Sequence, residues 1–147
     1  MLTDKELRIL QLLRENARYT VTEISRRVAL PRSTVYEKIK KLKQLGIVNK
    51  YSCLINFNHL GLPINVNVLF KIDSDKTKFG ETLANSSHVN NLLRLGNEYD
   101  FLASFVFPSM DDLHKFLDNL GSEHRLKDTR ILYVAKEMKS EGFLLNQ

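Results

Sequence analysis

Thr3-x-x-Glu6 recurs as Thr20-x-x-Glu23, and each pair stands just ahead of a stretch with apolar residues at helical spacing. In such a pair the hydroxyl accepts a backbone N–H three residues on while the carboxylate reaches back to the first N–H, satisfying donors that a helix start leaves open. Two helix starts are thereby fixed by local chemistry alone. The apolar neighbours agree, since Leu2 with Leu7 and Tyr19 with Ile24 are placed to staple the chain as it enters each helix.

The spacing predicts a first helix that buries Leu7, Leu10, Leu13 and Ala17, and a second from about Val21 to Val28 with Ile24 and Val28 as its inner pair. Ala29 to Arg32 is only long enough for a tight turn, so a third helix, Ser33 to Leu45, completes a helix-turn-helix. Val35, Ile39, Leu42 and Leu45 fall on one side of it, leaving Arg32, Ser33, Thr34, Tyr36, Glu37, Lys38, Lys40 and Lys41 outward. With Arg26, Arg27 and Lys43, this region concentrates positive charge where the phosphates of double-stranded DNA would lie. Ser33, Thr34, Glu37 and Lys38 offer donors and acceptors for base edges if the amino end of this helix enters a major groove. The DNA-contact candidates are therefore Arg26, Arg27, Arg32, Ser33, Thr34, Tyr36, Glu37, Lys38 and Lys41.

Charge divides along the chain. Residues 1–60 carry a net charge of +7 and residues 61–147 a net charge of −2, which predicts two domains of which only the first faces a polyanion. Asn56 to Pro63 has the makeup of a linker, and the boundary is expected near Gly61, giving 1–60 and 61–147. No apolar run approaches the length of a membrane span and the amino end lacks a long apolar stretch, so a cytoplasmic protein is expected. The single cysteine, Cys53, excludes an internal disulfide and is expected as a buried structural thiol within an extended Ile47 to Phe57. His59, His88, His114 and His124 show no metal-ligand spacing and are expected at the surface; neither a metal, a cofactor nor a catalytic group is expected.

From Ile64 to Ile72 the residues alternate, with Ile64, Val66, Val68, Phe70 and Ile72 on one face of a strand. A helix near Lys76 to Asn85 follows, then strands at Val89 to Leu95 and Tyr99 to Phe107 joined by a turn at Gly96 to Glu98. Ser109 caps a helix carrying Leu113, Phe116, Leu117 and Leu120, and a last strand is expected from Thr129 to Lys136. The predicted class is α+β: a winged-helix-like helix-turn-helix domain followed by a ferredoxin-like βαββαβ domain. Phe101, Ala103, Phe105 and Phe107 occupy one side of the third strand and Leu102 and Val106 the other, so a second copy is expected to cover the face the helices leave open.

The opening Leu2 to Leu10, the stretches Ser33-Thr34-Val35-Tyr36 and Leu45-Gly46-Ile47-Val48, and the turn Gly96-Asn97-Glu98-Tyr99-Asp100 resemble the Lrp/AsnC family of transcription regulators over almost the whole chain. The resemblance implies a sequence-specific DNA-binding regulator that forms homodimers and then tetramers or octamers. It also implies an amino-acid effector near the turn, with Gly96, Tyr99 and Asp100 as candidates. Read as residues alone, the same three fit a plain hairpin: glycine in the turn, tyrosine packed, aspartate on backbone N–H groups. The chain departs from the family pattern in three places. Two residues, not one, separate Gly96 from Tyr99; Ala29 replaces a turn glycine; and Pro31 replaces a serine cap, leaving Ser33 or Thr34 to cap the third helix. An architectural, nucleoid-like DNA binder is an alternative, as is a siroheme decarboxylase-like enzyme, for which His88, Arg94, His114, His124, Arg125 and Arg130 supply residue types without a motif.

Overall fold

The computed structural model describes residues 1–143. The described chain divides into two compact units, one of residues 1–54 joined by residues 139–143, the other Ile55–Met138. The first contains α1 (Asp4–Glu15), α2 (Val21–Val28) and α3 (Arg32–Gln44). Both capping boxes are formed: Thr3 Oγ1 accepts from Glu6 N at 3.3 Å and Thr20 Oγ1 from Glu23 N at 3.2 Å, while each glutamate accepts the N–H of its threonine.

Beneath the caps, Ile9, Leu10, Leu12, Leu13, Ile24, Val28, Val35 and Leu42 form one core. The buried side of α1 differs from the expected one. Ile9 and Leu12 are fully buried whereas Leu7 and Ala17 are half-buried, because α1 packs against both α2 and α3 and ends at Glu15. Leu45, expected inside, is exposed. Gly46 takes φ +68°, and the N–H groups of Ile47 and Val48 return to Leu42 O at 3.0 and 3.2 Å. The chain reverses there, Val48 packs on the core, and Leu45 is turned outward. Between α2 and α3, Ala29 adopts the left-handed conformation (φ 53°, ψ 54°).

Pro31 is the first flanking residue of α3, and no side chain caps it. Ser33 and Thr34 do not serve as the cap because α3 already begins at Arg32, which puts both inside its first turn, while the Pro31 carbonyl accepts Val35 N at 3.0 Å. No strand forms between residues 47 and 56, and Cys53 is exposed: with no sheet partner there, nothing covers the thiol.

The second unit holds β1 (Ile64–Ile72), α4 (Lys76–Ala84), β2 (Val89–Arg94), β3 (Phe101–Phe107), α5 (Met110–Glu123) and β4 (Leu126–Tyr133). Its antiparallel sheet has the order β2-β3-β1-β4, the ferredoxin-like arrangement. Phe79 and Leu83 from α4 and Leu113 and Leu120 from α5 pack with Val66, Val68, Phe70, Phe101, Phe105 and Phe107 in one core on a single face of the sheet. The other face carries a cross-strand row, Leu69 opposite Leu102 opposite Leu93.

The last strand begins three residues before its expected start and ends at Tyr133, because Leu126 pairs with Ile72 as soon as α5 ends and β1 runs out at Ile64. His124, expected at the surface, is buried: it terminates α5, sets its ring edge-on to Phe79 at 5.1 Å and places Nε2 3.2 Å from Thr82 Oγ1. His88 stacks on Phe107 at 4.3 Å, whereas His59 and His114 are exposed. Among the described residues no cluster of metal-ligating side chains occurs, and no helix is long and apolar enough to cross a membrane.

Candidate nucleic-acid interface and effector turn

The core under α3 fixes which of its side chains face outward. Val35 and Leu42 are fully buried, so Arg32, Ser33, Tyr36, Glu37, Lys40 and Lys41 are exposed, with Thr34 and Lys38 half-buried at the edge. The outward surface has two flanks. Ser33, Thr34, Glu37, Lys38 and Lys41 line a shallow depression with Glu6, whereas Tyr36, Lys40 and Lys43 border another with Leu13, Tyr19 and Tyr51. Five of the nine DNA-contact candidates thus share one surface, with Tyr36 on the opposite flank. Arg26 and Arg27 are exposed in the last turn of α2, where the Arg27 guanidinium lies 4.4 Å from the centre of the Tyr19 ring.

Two residues outside the candidate set also line these two flanks, Lys40 beside Tyr36 and Glu6 in the depression with Lys38 and Lys41. Lys40 follows Tyr36 and Glu37 by one helical turn, so helical spacing alone could have included it. Glu6 carries no such signal. Its carboxylate is buried, with Oε2 accepting from Thr3 N at 2.8 Å and Thr3 Oγ1 at 3.0 Å, and Oε1 lying 3.4 Å from Lys38 Nζ and 3.3 Å from Lys41 Nζ. The Thr3 backbone N–H and hydroxyl, aided by the two lysines, hold its pKa at about 2, against an ordinary 4.5.

In the second unit, Gly96 lies at the exposed tip of the turn after β2, where an added Cβ would meet nothing within 4 Å. Tyr99 and Asp100 point the other way and are buried. Tyr99 donates its hydroxyl to Asp128 Oδ2 at 2.7 Å, which raises its pKa. Asp100 Oδ2 accepts Ile72 N at 2.8 Å, and Oδ1 lies 2.7 Å from Lys76 Nζ and 3.8 Å from Arg94. The Ile72 N–H, then Lys76, hold this carboxyl below its ordinary range. The three effector candidates are therefore divided: Gly96 is open to solvent, while Tyr99 and Asp100 fasten the turn to β4, β1 and α4.

Residues 2–49 match the winged helix-turn-helix DNA-binding family, and residues 64–143 match the Lrp/AsnC ligand binding domain. The HTH-type transcriptional regulator FL11 of Pyrococcus furiosus is 26% identical over 140 residues, 95% of this chain and 93% of its own. An uncharacterised HTH-type transcriptional regulator of the same organism is 31% identical over 131 residues, 88% of each chain. A transcriptional regulator from Neisseria meningitidis, solved as its L-Met complex, superposes with a TM-score of 0.86 at 31% identity, covering 95% of this chain and 94% of that one. AsnC of E. coli shares the fold, with a TM-score of 0.84 at 20% identity over 95% of this chain and 96% of its own.

Proposed function

This chain belongs to the Lrp/AsnC family of transcription regulators, and from that premise we propose that α3 reads double-stranded DNA by sequence while the second unit senses an amino acid. The observation that carries the reading is the row Ser33, Glu37 and Lys41, held outward on α3 by the buried Val35 and Leu42. Ser33, Thr34, Glu37 and Lys38 meet base edges; Arg26, Arg27, Arg32 and Lys41 meet phosphates, and Tyr36 contacts the flanking backbone. The first unit forms the DNA-binding part and the second the part for effector and assembly.

The open sheet face bearing Leu69, Leu93 and Leu102 pairs with a second copy, so that two recognition helices meet half-sites about one helical turn apart. Dimers then associate into tetramers or octamers in the cytoplasm. The effector docks at the turn tip, where Gly96 leaves the backbone open, while Tyr99 and Asp100 preserve the turn's shape. L-Met is the first amino acid to test, because the Neisseria relative was solved with it. Selection of binding sites from random duplex DNA should return a pseudo-palindrome, and Glu37→Ala should lose about 1 to 3 kcal/mol of discrimination at one base pair per half-site. Selection of no motif would contradict sequence reading.

A further inference from the structure

We infer that Glu6 is a positioning residue that sets how much of the charge on α3 is offered to DNA phosphates, and with it the balance between specific and non-specific binding. The inference rests on the reading of α3 given above. Glu6 belongs to α1, outside the helix-turn-helix pair, and its capping role would be complete with Thr3 alone. Yet its second oxygen lies near two lysines of α3, at 3.3 and 3.4 Å, and its side chain is only 3% exposed. Four donors converge on this one buried group. Lys38 has lost most of its exposure, with 25% of its side chain accessible, while Lys41 retains 59%.

Two ammonium groups on one carboxylate leave a net charge of +1 where the sequence counts two cations. A lysine held on Glu6 releases fewer counterions when a duplex docks, because part of its charge is already compensated inside the protein. The sequence-independent part of the affinity is therefore restrained, whereas Ser33, Thr34 and Glu37 on the same depression keep their base-reading groups. Thr3, Glu6 and α3 form one device: the cap fixes the carboxylate, and the carboxylate fixes the lysines.

Glu6→Gln tests this directly, since glutamine still accepts the Thr3 N–H but has no charge to hold the lysines. The log-affinity versus log-salt line for random duplex should steepen by up to about 0.9, the one unit of charge that Glu6 compensates. The ratio of specific to random affinity should fall several-fold. Adding Lys38→Ala and Lys41→Ala to that variant should abolish the steepening. Thr3→Ala, which damages the cap and leaves the charge pair, should lower stability without steepening the line. An unchanged or shallower line for Glu6→Gln overturns the role of Glu6. Wild-type protein that binds no duplex at all overturns the reading of α3 instead, so the two failures are distinguishable.

Discussion

Ala29 holds a left-handed backbone (φ 53°, ψ 54°) that costs an alanine about 1 to 2 kcal/mol, and glycine would adopt it freely. After the extra freedom of glycine in the unfolded chain is deducted, Ala29→Gly should stabilise the protein by about 0.5 to 1 kcal/mol in urea denaturation. A loss of stability would show that the alanine methyl makes a contact worth more than its strain. Glu6 makes a pH prediction. Its folded pKa of about 2 lies below the ordinary 4.5, so its contribution is fully present above pH 4.5 and disappears as pH falls toward 2. Asp100, also lowered, adds to the same acid-side loss. Acid titration followed by circular dichroism should fall less steeply in Glu6→Gln than in wild type; identical curves would contradict the assignment. That Ala29 stands in place of a turn glycine was legible from the family resemblance; its left-handed backbone is seen in the structure. The Glu6 pairing with α3 was not legible, because it joins side chains 32 and 35 residues apart.

Elements whose signals are local were legible in order and in type. Thr20 and Glu23 name the start of α2 because both partners lie within one turn, and Thr20→Ala should cost about 0.5 to 2 kcal/mol in the same denaturation assay. No measurable loss would mean that water replaces the hydroxyl. The boundaries that moved were set by neighbours in space: β4 starts where β1 offers Ile72 as a partner, and Leu45 is expelled by a reversal at Gly46 that brings Val48 onto the core. His124 looked like one scattered histidine until α5 ended against Phe79 and Thr82. For the same reason the effector candidates separated. Glycine at the tip could be read from the turn sequence, but the ties of Tyr99 to Asp128 and of Asp100 to Ile72 and Lys76 depend on how the sheet is assembled.

At the scale of the whole molecule, a sheet with helices on one face and the row Leu69, Leu102, Leu93 on the other presents apolar surface that a second copy is proposed to cover. Leu102→Lys should convert the proposed dimer to monomer in sedimentation equilibrium, and should weaken binding to a palindromic duplex far more than binding to a half-site. An unshifted dimer would place the interface elsewhere. On the proposed function, α3 distinguishes one duplex sequence from another. Titrating a selected site and a random duplex at physiological salt should give an affinity ratio of about 10³ or more that collapses in a Ser33→Ala, Glu37→Ala variant. A ratio near one, or a ratio that survives both substitutions, would contradict it.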